Sequence, residues 1–304
     1  MDAPPTSVLL PTTRWTPACE EVATQLGPED ELLVVCDTET DPVAERVADE
    51  PDRVRLVVAG EPEGCSGKAN AVAAGMEAAR HDRVAWTDDD FHHPPDWLDG
   101  LQADYERHGP VSELPAFVGR DPLSVLLEPL YVLGGTAGVY AGDKVWAGAV
   151  LFERGDLDVD AFLADLRRTV SDDGLLSEHL DATALRRTRR VAVGGSIRES
   201  LERHVRFSKI AYIHDPRGMV ASSVVTAGLA AASLLAPLYA FVVAALLFSG
   251  LYAAFGNRRW TAVLAYPAML ASLPLLVYAH ARRTFVWGGR RYRWRSKFDV
   301  EVSS

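Results

Sequence analysis

The chain has 304 residues with a formal net charge of −11, and 48% of its residues are hydrophobic. This composition excludes disordered and collagen-like proteins, and the length allows a full hydrophobic core. Residues 1–218 hold 40 of the 42 acids, which excludes nucleic-acid binding through a broad basic face in this part of the chain. Lysine supplies only four of the 31 bases, a composition typical of adaptation to high salt or of a biased genome.

Three widely spaced cysteines, Cys19, Cys36 and Cys65, are present in the sequence. An odd number at these spacings favours reduced thiols over a disulfide framework or a zinc site. The first twenty residues lack a basic start and a long apolar stretch, so we predict no signal peptide. Both features favour a cytosolic location for the front of the chain.

The front of the chain alternates between predicted strands and helices. Apolar and β-branched runs predict strands at 7–11, 31–37, 54–60 and 83–87. Alanine and methionine at helical spacing predict a helix over 67–80. Strands that alternate with helices favour a parallel sheet covered on both faces, and such sheets bind ligands at the carboxyl ends of their strands.

The middle of the chain continues the same α/β pattern. We predict strands at 146–154 and 190–194, and helices at 159–168, from 171 onwards and at 197–213. Ser171 or Asp172 is a suitable N-cap for the helix that begins there, and we favour Asp172. The run of arginines at 186–190 is most simply a solvated helix end.

The rear of the chain contains two long uncharged stretches. No charged residue occurs between Arg217 and Arg258, a gap of 40 positions, and a second gap of 22 positions covers 260–281. About 20 apolar residues suffice to cross a bilayer, whereas soluble helices of this length carry a polar face. We therefore predict transmembrane helices over 234–255 and 260–281, which form a tight hairpin.

The segments around these helices complete the predicted membrane region, 216–283. Residues 216–233 are rich in small and hydroxyl side chains, so we predict an interfacial helix there. Seven basic residues lie from Arg282 to Lys297, and basic segments favour the cytosolic side. Two spans place the basic tail, 284–304, in the cytosol with the front domain, whereas three spans, the alternative, would place the tail outside.

Carboxylates follow two of the predicted strands. Asp88 and Asp90 form an Asp-x-Asp pair after the strand at 83–87, and Asp37 ends the strand at 31–37. Carboxylates with alternating spacing can hold Mg²⁺ or Mn²⁺ together with a diphosphate, whose charge the metal neutralises as it departs. Asp37 can accept hydrogen bonds from a uracil or a ribose. The alternatives are a solvated acidic turn for the triplet and a turn or cap for Asp37.

The segment before the predicted helix at 67–80 superficially resembles a phosphate-binding loop. Pro62 stands where that motif requires glycine and Ala69 where it requires serine or threonine, which argues against an ATPase. Lys68 can still contact a phosphate. His92 and His93 follow the acidic triplet, and we interpret them as a partly exposed loop pair rather than as metal ligands.

Two further pairs of polar residues lie beyond residue 170. Asp172 and Asp173 lie near a helix start, where they can supply a general base or cap the helix. Arg203 and Arg206 lie on one helix face, and arginine gives bidentate contacts to a diphosphate. The alternative for the arginines is a basic collar at a membrane surface.

In chain order these residues resemble the pattern of the inverting family 2 glycosyltransferases. The set consists of Asp37, the triplet at 88–90, the doublet Asp172-Asp173 and the run Arg203-x-x-Arg206-Phe207. It is closest to the ceramide glucosyltransferase-like branch, although Phe207 stands where that branch has tryptophan and the first strand lacks the usual Pro-x-x-Asn-Glu. The resemblance implies a GT-A nucleotide-diphospho-sugar transferase fold, with a mostly parallel Rossmann-like sheet, over residues 1–215.

The resemblance also implies a role for each acid. Asp88 and Asp90 would hold Mg²⁺ or Mn²⁺ against the diphosphate, with Asp88 and Lys68 near the donor, and Asp37 would bind the nucleoside. Asp173 would deprotonate an acceptor hydroxyl, or would orient the acceptor if this were a lipid phosphate.

The function implied is transfer of a hexose, with inversion, from a UDP- or GDP-linked donor to a lipid or lipid-linked acceptor by a membrane-bound enzyme. Arg203 and Arg206 would stabilise the leaving diphosphate. The alternative is a membrane-tethered nucleotide-sugar-binding protein without catalysis, which would need neither Asp173 nor the arginine pair.

Overall fold

The computed structural model describes residues 4–303. The chain divides into two compact units. The first unit comprises residues 4–114, 142–185 and 298–302, and the second comprises residues 115–141, 186–297 and 303. Residues 186–215 lie in the second unit, together with the apolar helices that follow them.

The central sheet has the predicted α/β character. Within the described residues, the strands are β1 (Thr6–Pro11), β2 (Glu31–Cys36), β3 (Val54–Val58), β4 (Arg83–Thr87), β5 (Val111–Gly119), β6 (Ala149–Glu153), β7 (Thr183–Val193), β8 (Phe285–Trp287), β9 (Arg290–Ser296) and β10 (Asp299–Ser303). The first seven form one sheet in the order β3-β2-β1-β4-β6-β5-β7. β1 to β4 pair in parallel, whereas β6 is antiparallel to β4 and β5, which confirms a mostly parallel sheet.

Helices follow most of the strands. They are α1 (Pro17–Ala23), α2 (Pro42–Val47), α3 (Gly67–Ala78), α4 (Trp97–His108), α5 (Pro122–Tyr131), α6 (Gly138–Ala141), α7 (Val159–Leu166), α8 (Asp172–His179), α9 (Ile197–His214), α10 (Pro216–Ser233), α11 (Pro237–Ala254) and α12 (Ala265–Ala281). A π-helical segment, Val132–Ala137, joins α5 to α6, and a 3-10 segment, Trp260–Leu264, precedes α12.

Close packing against the sheet fixes the position of α3. A Cβ atom at Gly75 would lie 2.8 Å from Leu9 Cδ2, so the helix approaches β1 more closely than any larger residue would allow. The Trp86 indole donates a hydrogen bond to Met76 Sδ at 3.4 Å, which joins β4 to the same helix. The indole and the thioether are both buried in the core. Lys68, in the first turn of α3, is therefore held in a fixed place.

The three cysteines are free thiols in the interior of the first unit. Burial raises the pKa of Cys36 and of Cys65 to about 11, and it also raises the pKa of Cys19. A thiol reacts through its thiolate, so these side chains are unreactive at neutral pH.

Several elements differ from the sequence prediction. The arginine run at 186–190 lies in strand β7 and not at a helix end, because a strand at the end of the sheet order can direct charged side chains to solvent. The strand predicted over 146–154 begins only at Ala149. The basic tail folds into β8, β9 and β10, which the sequence did not predict.

Within residues 4–303, three helical segments are long and apolar enough to cross a membrane. They are Pro122–Ala141, Pro237–Ala254 and Trp260–Ala281. The second and third coincide with the predicted spans, whereas the first was not predicted. α10 occupies the place of the predicted interfacial helix.

Candidate active site

The loops that follow β1, β2 and β4 are fixed by hydrogen bonds at the carboxyl ends of these parallel strands. Thr12, after β1, donates its hydroxyl to Asp89 Oδ2 at 2.5 Å in the triplet after β4. Asp41 accepts the backbone N–H groups of Asp37 and Thr38 at 2.9 and 2.8 Å, which holds the turn after β2. The predicted acids after β2 and β4 therefore lie at one edge of the sheet.

Lys68 forms the centre of an acidic cluster in the first unit. Its Nζ lies 2.6 Å from Asp88 Oδ1 and 2.9 Å from Asp172 Oδ2. Burial favours the neutral amine, but the carboxylates of Asp172 and Asp88 outweigh it and hold the pKa of Lys68 well above its usual value. Lys68 is thus a permanent cation that links the acid after β4 to the acid at the start of α8.

The start of α8 corrects the predicted cap. Ser171, not Asp172, is the N-cap, and its hydroxyl accepts the backbone N–H of Gly174 at 3.0 Å. Asp172 is the first helical residue, is buried, and directs its carboxylate to Lys68. The hydroxyl satisfies the helix end, which leaves the Asp172 carboxylate available for the ion pair.

Asp173, the predicted general base, lies beside this ion pair. Its Oδ1 accepts the backbone N–H of Ala147 at 2.6 Å, just before β6. Burial, together with the negative charge of Asp172, raises the pKa of the Asp173 carboxyl to about 7, against the opposing effect of Lys68. A carboxyl with this pKa can both accept and release a proton near neutral pH, as general acid–base catalysis requires.

The remaining predicted residues of the first unit lie in the same strand-end loops. Asp37 is half-buried and follows β2 directly, and Asp90 is exposed at the end of the acidic triplet. Among residues 4–303, no group of three or more His, Cys, Asp or Glu side chains is arranged to hold a metal ion.

His93 is a residue whose place the sequence prediction missed. It is buried, not a partly exposed loop residue, and its Nε2 lies 2.6 Å from the Thr87 hydroxyl at the end of β4. Glu21 accepts the backbone N–H of His93 at 2.7 Å and also contacts the exposed His92. These contacts hold the segment that follows the acidic triplet.

Arg203 and Arg206, the predicted diphosphate ligands, belong to the second unit, where they stack on aromatic rings. The Arg203 guanidinium lies 4.6 Å from the ring centroids of both Phe117 and Phe207. The Arg206 guanidinium lies 3.9 Å from the ring of Trp287, in the tail strand β8. Stacking on aromatic rings restricts both side chains.

Comparison with known proteins shows what this chain is similar to. Residues 16–132 match the family model described as glycosyl transferase family 2. These residues are thus similar to a family 2 glycosyltransferase domain. The match supports glycosyltransferase activity, and the central sheet is mostly parallel. The matched residues contain Asp37, Lys68, Asp88 and Asp90.

Solved structures of other glycosyltransferases are similar to this chain. Glucosyl-3-phosphoglycerate synthase from Mycobacterium tuberculosis, in complex with phosphoglyceric acid, has 19% identity and a TM-score of 0.38 over 62% of this chain and 71% of that chain. The same synthase with Mn²⁺, UDP and glucosyl-3-phosphoglycerate gives 18% identity and a TM-score of 0.35, with the same coverage. S. aureus TarS 1–349 in complex with UDP-GlcNAc has 14% identity and a TM-score of 0.42 over 99% of each chain. No curated protein matches the sequence.

Proposed function

We propose that this glycosyltransferase moves a hexose, with inversion, from a UDP- or GDP-linked sugar to a lipid-linked acceptor at a membrane. The observation that carries the proposal is the cluster of Lys68, Asp88, Asp172 and Asp173, in which a partly buried cation lies beside a carboxyl with a pKa of about 7. A cation suits a diphosphate, and such a carboxyl suits a proton acceptor. Both are properties that transfer from a nucleotide sugar requires.

A divalent cation fits the donor set of this site. Mg²⁺ and Mn²⁺ prefer carboxylate oxygens, and Mg²⁺ is commonly held by only one or two carboxylates together with substrate phosphates. Asp88 and Asp90 supply two such carboxylates, and Asp88 also pairs with Lys68 through Oδ1. Asp89 is hydrogen-bonded to Thr12. When bound, the metal would neutralise the charge that develops on the leaving diphosphate.

The proposed transfer step places Asp173 at the acceptor. As the acceptor oxygen attacks the anomeric carbon, the bond from that carbon to the diphosphate breaks, and Asp173 takes the hydroxyl proton. The Ala147 N–H holds one carboxylate oxygen, which orients the other. Asp37 is proposed to bind the nucleoside, and Arg203 and Arg206 to stabilise the diphosphate as the resemblance implies.

A lipid acceptor is supported by the apolar surface of the second unit. α10 and α11 expose large apolar side chains, and α11 is long and apolar enough to cross a membrane. Such a surface is unusual on a soluble protein. An acceptor with a lipid anchor would enter from the bilayer plane beside these helices.

Release of nucleoside diphosphate tests the proposed function. Full-length protein in detergent is incubated with UDP- and GDP-linked sugars, Mn²⁺ or Mg²⁺ and lipid-linked or free acceptors. We expect release of UDP or GDP that depends on the lipid-linked acceptor, together with a glycosylated lipid in which the anomeric configuration is inverted. Retention of configuration, or equal rates with free sugars as acceptors, would contradict the proposal.

The carboxylates of the acidic triplet provide a prediction about the metal. Asp88→Ala and Asp90→Ala are each expected to weaken Mn²⁺-dependent binding of UDP or GDP by at least about tenfold, because each removes a hard oxygen ligand. Calorimetric titration with and without Mn²⁺ measures the effect. Asp89→Asn is the matched control, since its amide oxygen still accepts the Thr12 hydrogen bond. Unchanged affinity in both alanine variants would exclude this metal site.

A further inference from the structure

The turn between α11 and α12 lies against polar elements of the second unit. Arg186, in strand β7, donates from Nε to the carbonyl oxygen of Ala254 at 2.8 Å. The Thr188 hydroxyl, in the same strand, donates to the carbonyl oxygen of Phe255 at 3.2 Å. The carboxyl end of α11 is therefore joined to the arginine-rich half of strand β7.

Both ends of α12 also contact charged partners. Before the helix, Arg259 forms two hydrogen bonds with Glu128 of α5, at 2.9 and 2.8 Å. After it, Arg282 contacts Glu202 of α9 at 2.9 Å. The hydrocarbon core of a bilayer is about 30 Å thick, so a spanning helix would place these two ion pairs on opposite faces.

A polar contact nevertheless connects the two acid-bearing helices. The Ser200 hydroxyl of α9 donates to Asp121 at the N-cap of α5, at 2.6 Å. Glu202 lies two residues from Ser200, and Glu128 lies seven residues from Asp121. This contact is buried in the protein, so a spanning α12 would leave the Asp121 carboxylate between the two faces, where a charged side chain is costly. This cost favours an arrangement in which the ends of α12 and the end of α11 lie on one side of a membrane, unlike a hairpin of two spans.

The opposite end of α11 is strongly apolar. The turn 234–236 joins it to α10, and Leu235 is 89% exposed, Leu238 77% and Tyr239 74%. We name α10, α11 and this turn the apolar arm. A loop that emerges on the far side of a bilayer would need polar residues to reach the headgroups, whereas this turn lies within 40 uncharged positions.

We propose that the apolar arm inserts its turn into one leaflet of a phospholipid bilayer and does not cross it, so that the protein is attached from one side. This inference rests on the membrane attachment in the proposed function. Charge complementarity supports a lipid occupant, because Arg217 and Arg258 bound the arm and nine lysines and arginines lie after residue 218 against two acids. Such residues attract anionic headgroups.

Cysteine labelling tests the attachment directly. The full chain is expressed in bacterial cells as Ala236→Cys, in the turn, or as Ala254→Cys, at the other end of α11. Both alanines are exposed, and the native thiols are buried, so the two variants form a matched pair. A membrane-impermeant maleimide is applied to intact cells and to inverted membrane vesicles, and denaturation in detergent then reveals every thiol.

We expect Ala254→Cys to react in inverted vesicles and not in intact cells. Ala236→Cys should react in neither preparation, at a rate at least about tenfold below Ala254→Cys in inverted vesicles, because a thiol in hydrocarbon does not ionise. Reaction of Ala236→Cys in intact cells would mean that the arm spans the bilayer. Reaction of Ala254→Cys in intact cells would support the hairpin of two transmembrane helices that the sequence predicts. Either result overturns the proposal.

Two further outcomes separate this inference from the proposed function. If Ala236→Cys reacts in inverted vesicles as fast as Ala254→Cys, the arm lies in water and membrane attachment is wrong, while glycosyl transfer is still judged by nucleoside diphosphate release. The purified variant is also bound to vesicles of phosphatidylcholine and phosphatidylglycerol. Protection of the Ala236→Cys thiol in these vesicles would support insertion of the apolar arm into lipid. Protection only in native membranes would mean that a protein covers the arm, and this result would overturn the proposal.

Discussion

Asp173→Asn is expected to lower turnover with a hydroxyl acceptor by about 10²–10⁴-fold, the contribution of a general base. The amide keeps the shape of the side chain and can still accept the Ala147 N–H through its oxygen, but it cannot take a proton. Binding of the nucleotide sugar should change little, because the residue is proposed to act on the acceptor. The measurement is initial-rate release of UDP or GDP, with donor affinity determined separately.

The pH dependence of the rate provides a second test of the role of Asp173. Because the pKa of Asp173 is about 7, the wild-type rate at low substrate should rise as the pH rises through this region and the carboxylate forms. The negative charge of Asp172 raises this pKa. Asp172→Asn removes that charge, so the acidic limb of its profile should move to lower pH.

The comparison of the two variants decides the assignment. Asp172→Asn should retain a titrating limb, whereas Asp173→Asn should lose it. If the two profiles were identical and both variants were equally active, Asp173 would not be the base. An Asp173→Asn variant with full activity only on a phosphate acceptor would point to transfer without a base, with Asp173 orienting the acceptor.

The elements that the sequence predicts well are those whose residues face the core on both sides of the sheet. β1, β2 and β4 are apolar runs with no competing periodicity, and each lies within one residue of its predicted bounds. Strand β7 was missed in its arginine-rich half, because a solvated strand needs no apolar alternation. Its partner in the sheet comes from far away in the chain, which a local pattern does not reveal.

The candidate site was predicted in its residue types but not in its contacts. The common position of the acids after β2 and β4, at one edge of the sheet, follows from the direction of these parallel strands alone. The choice between Ser171 and Asp172 as the cap depends on Lys68, more than one hundred positions earlier in the chain, whose ammonium group attracts the Asp172 carboxylate. His93 was placed on the surface, although it is buried against the Thr87 hydroxyl and the Trp97 ring, because the sequence pattern does not show the direction of a loop side chain.

The apolar helices α11 and α12 show a third limit of prediction from the sequence. Length and apolar composition predict α11 and α12 as two spans, and both segments satisfy those criteria. Hydropathy does not reveal that Arg259 contacts Glu128 or that Arg186 contacts the end of α11. These contacts join residues far apart in the chain, and the proposed attachment from one side rests on them.

Lys68→Met is the second variant with a large expected effect. It leaves the carboxylates of Asp88 and Asp172 without their shared cation, and the Asp172 side chain is only 4% exposed. Breaking a buried ion pair by removing one partner costs about 3–5 kcal/mol, so we expect a clear loss of unfolding free energy. Loss of a cation at the proposed donor diphosphate should also lower kcat/KM by about 10²–10³-fold.

A double variant separates these two effects. Lys68→Met combined with Asp172→Asn removes both members of one pair, so it should recover part of the unfolding free energy that the single variant loses. Activity should not recover, because the cation is still missing from the donor site. Urea unfolding and nucleoside diphosphate release of the four proteins, wild type included, give the two coupling energies. If the double variant regained activity along with stability, Lys68 would serve only to compensate the charge of Asp172, and its proposed contact with the donor would be wrong.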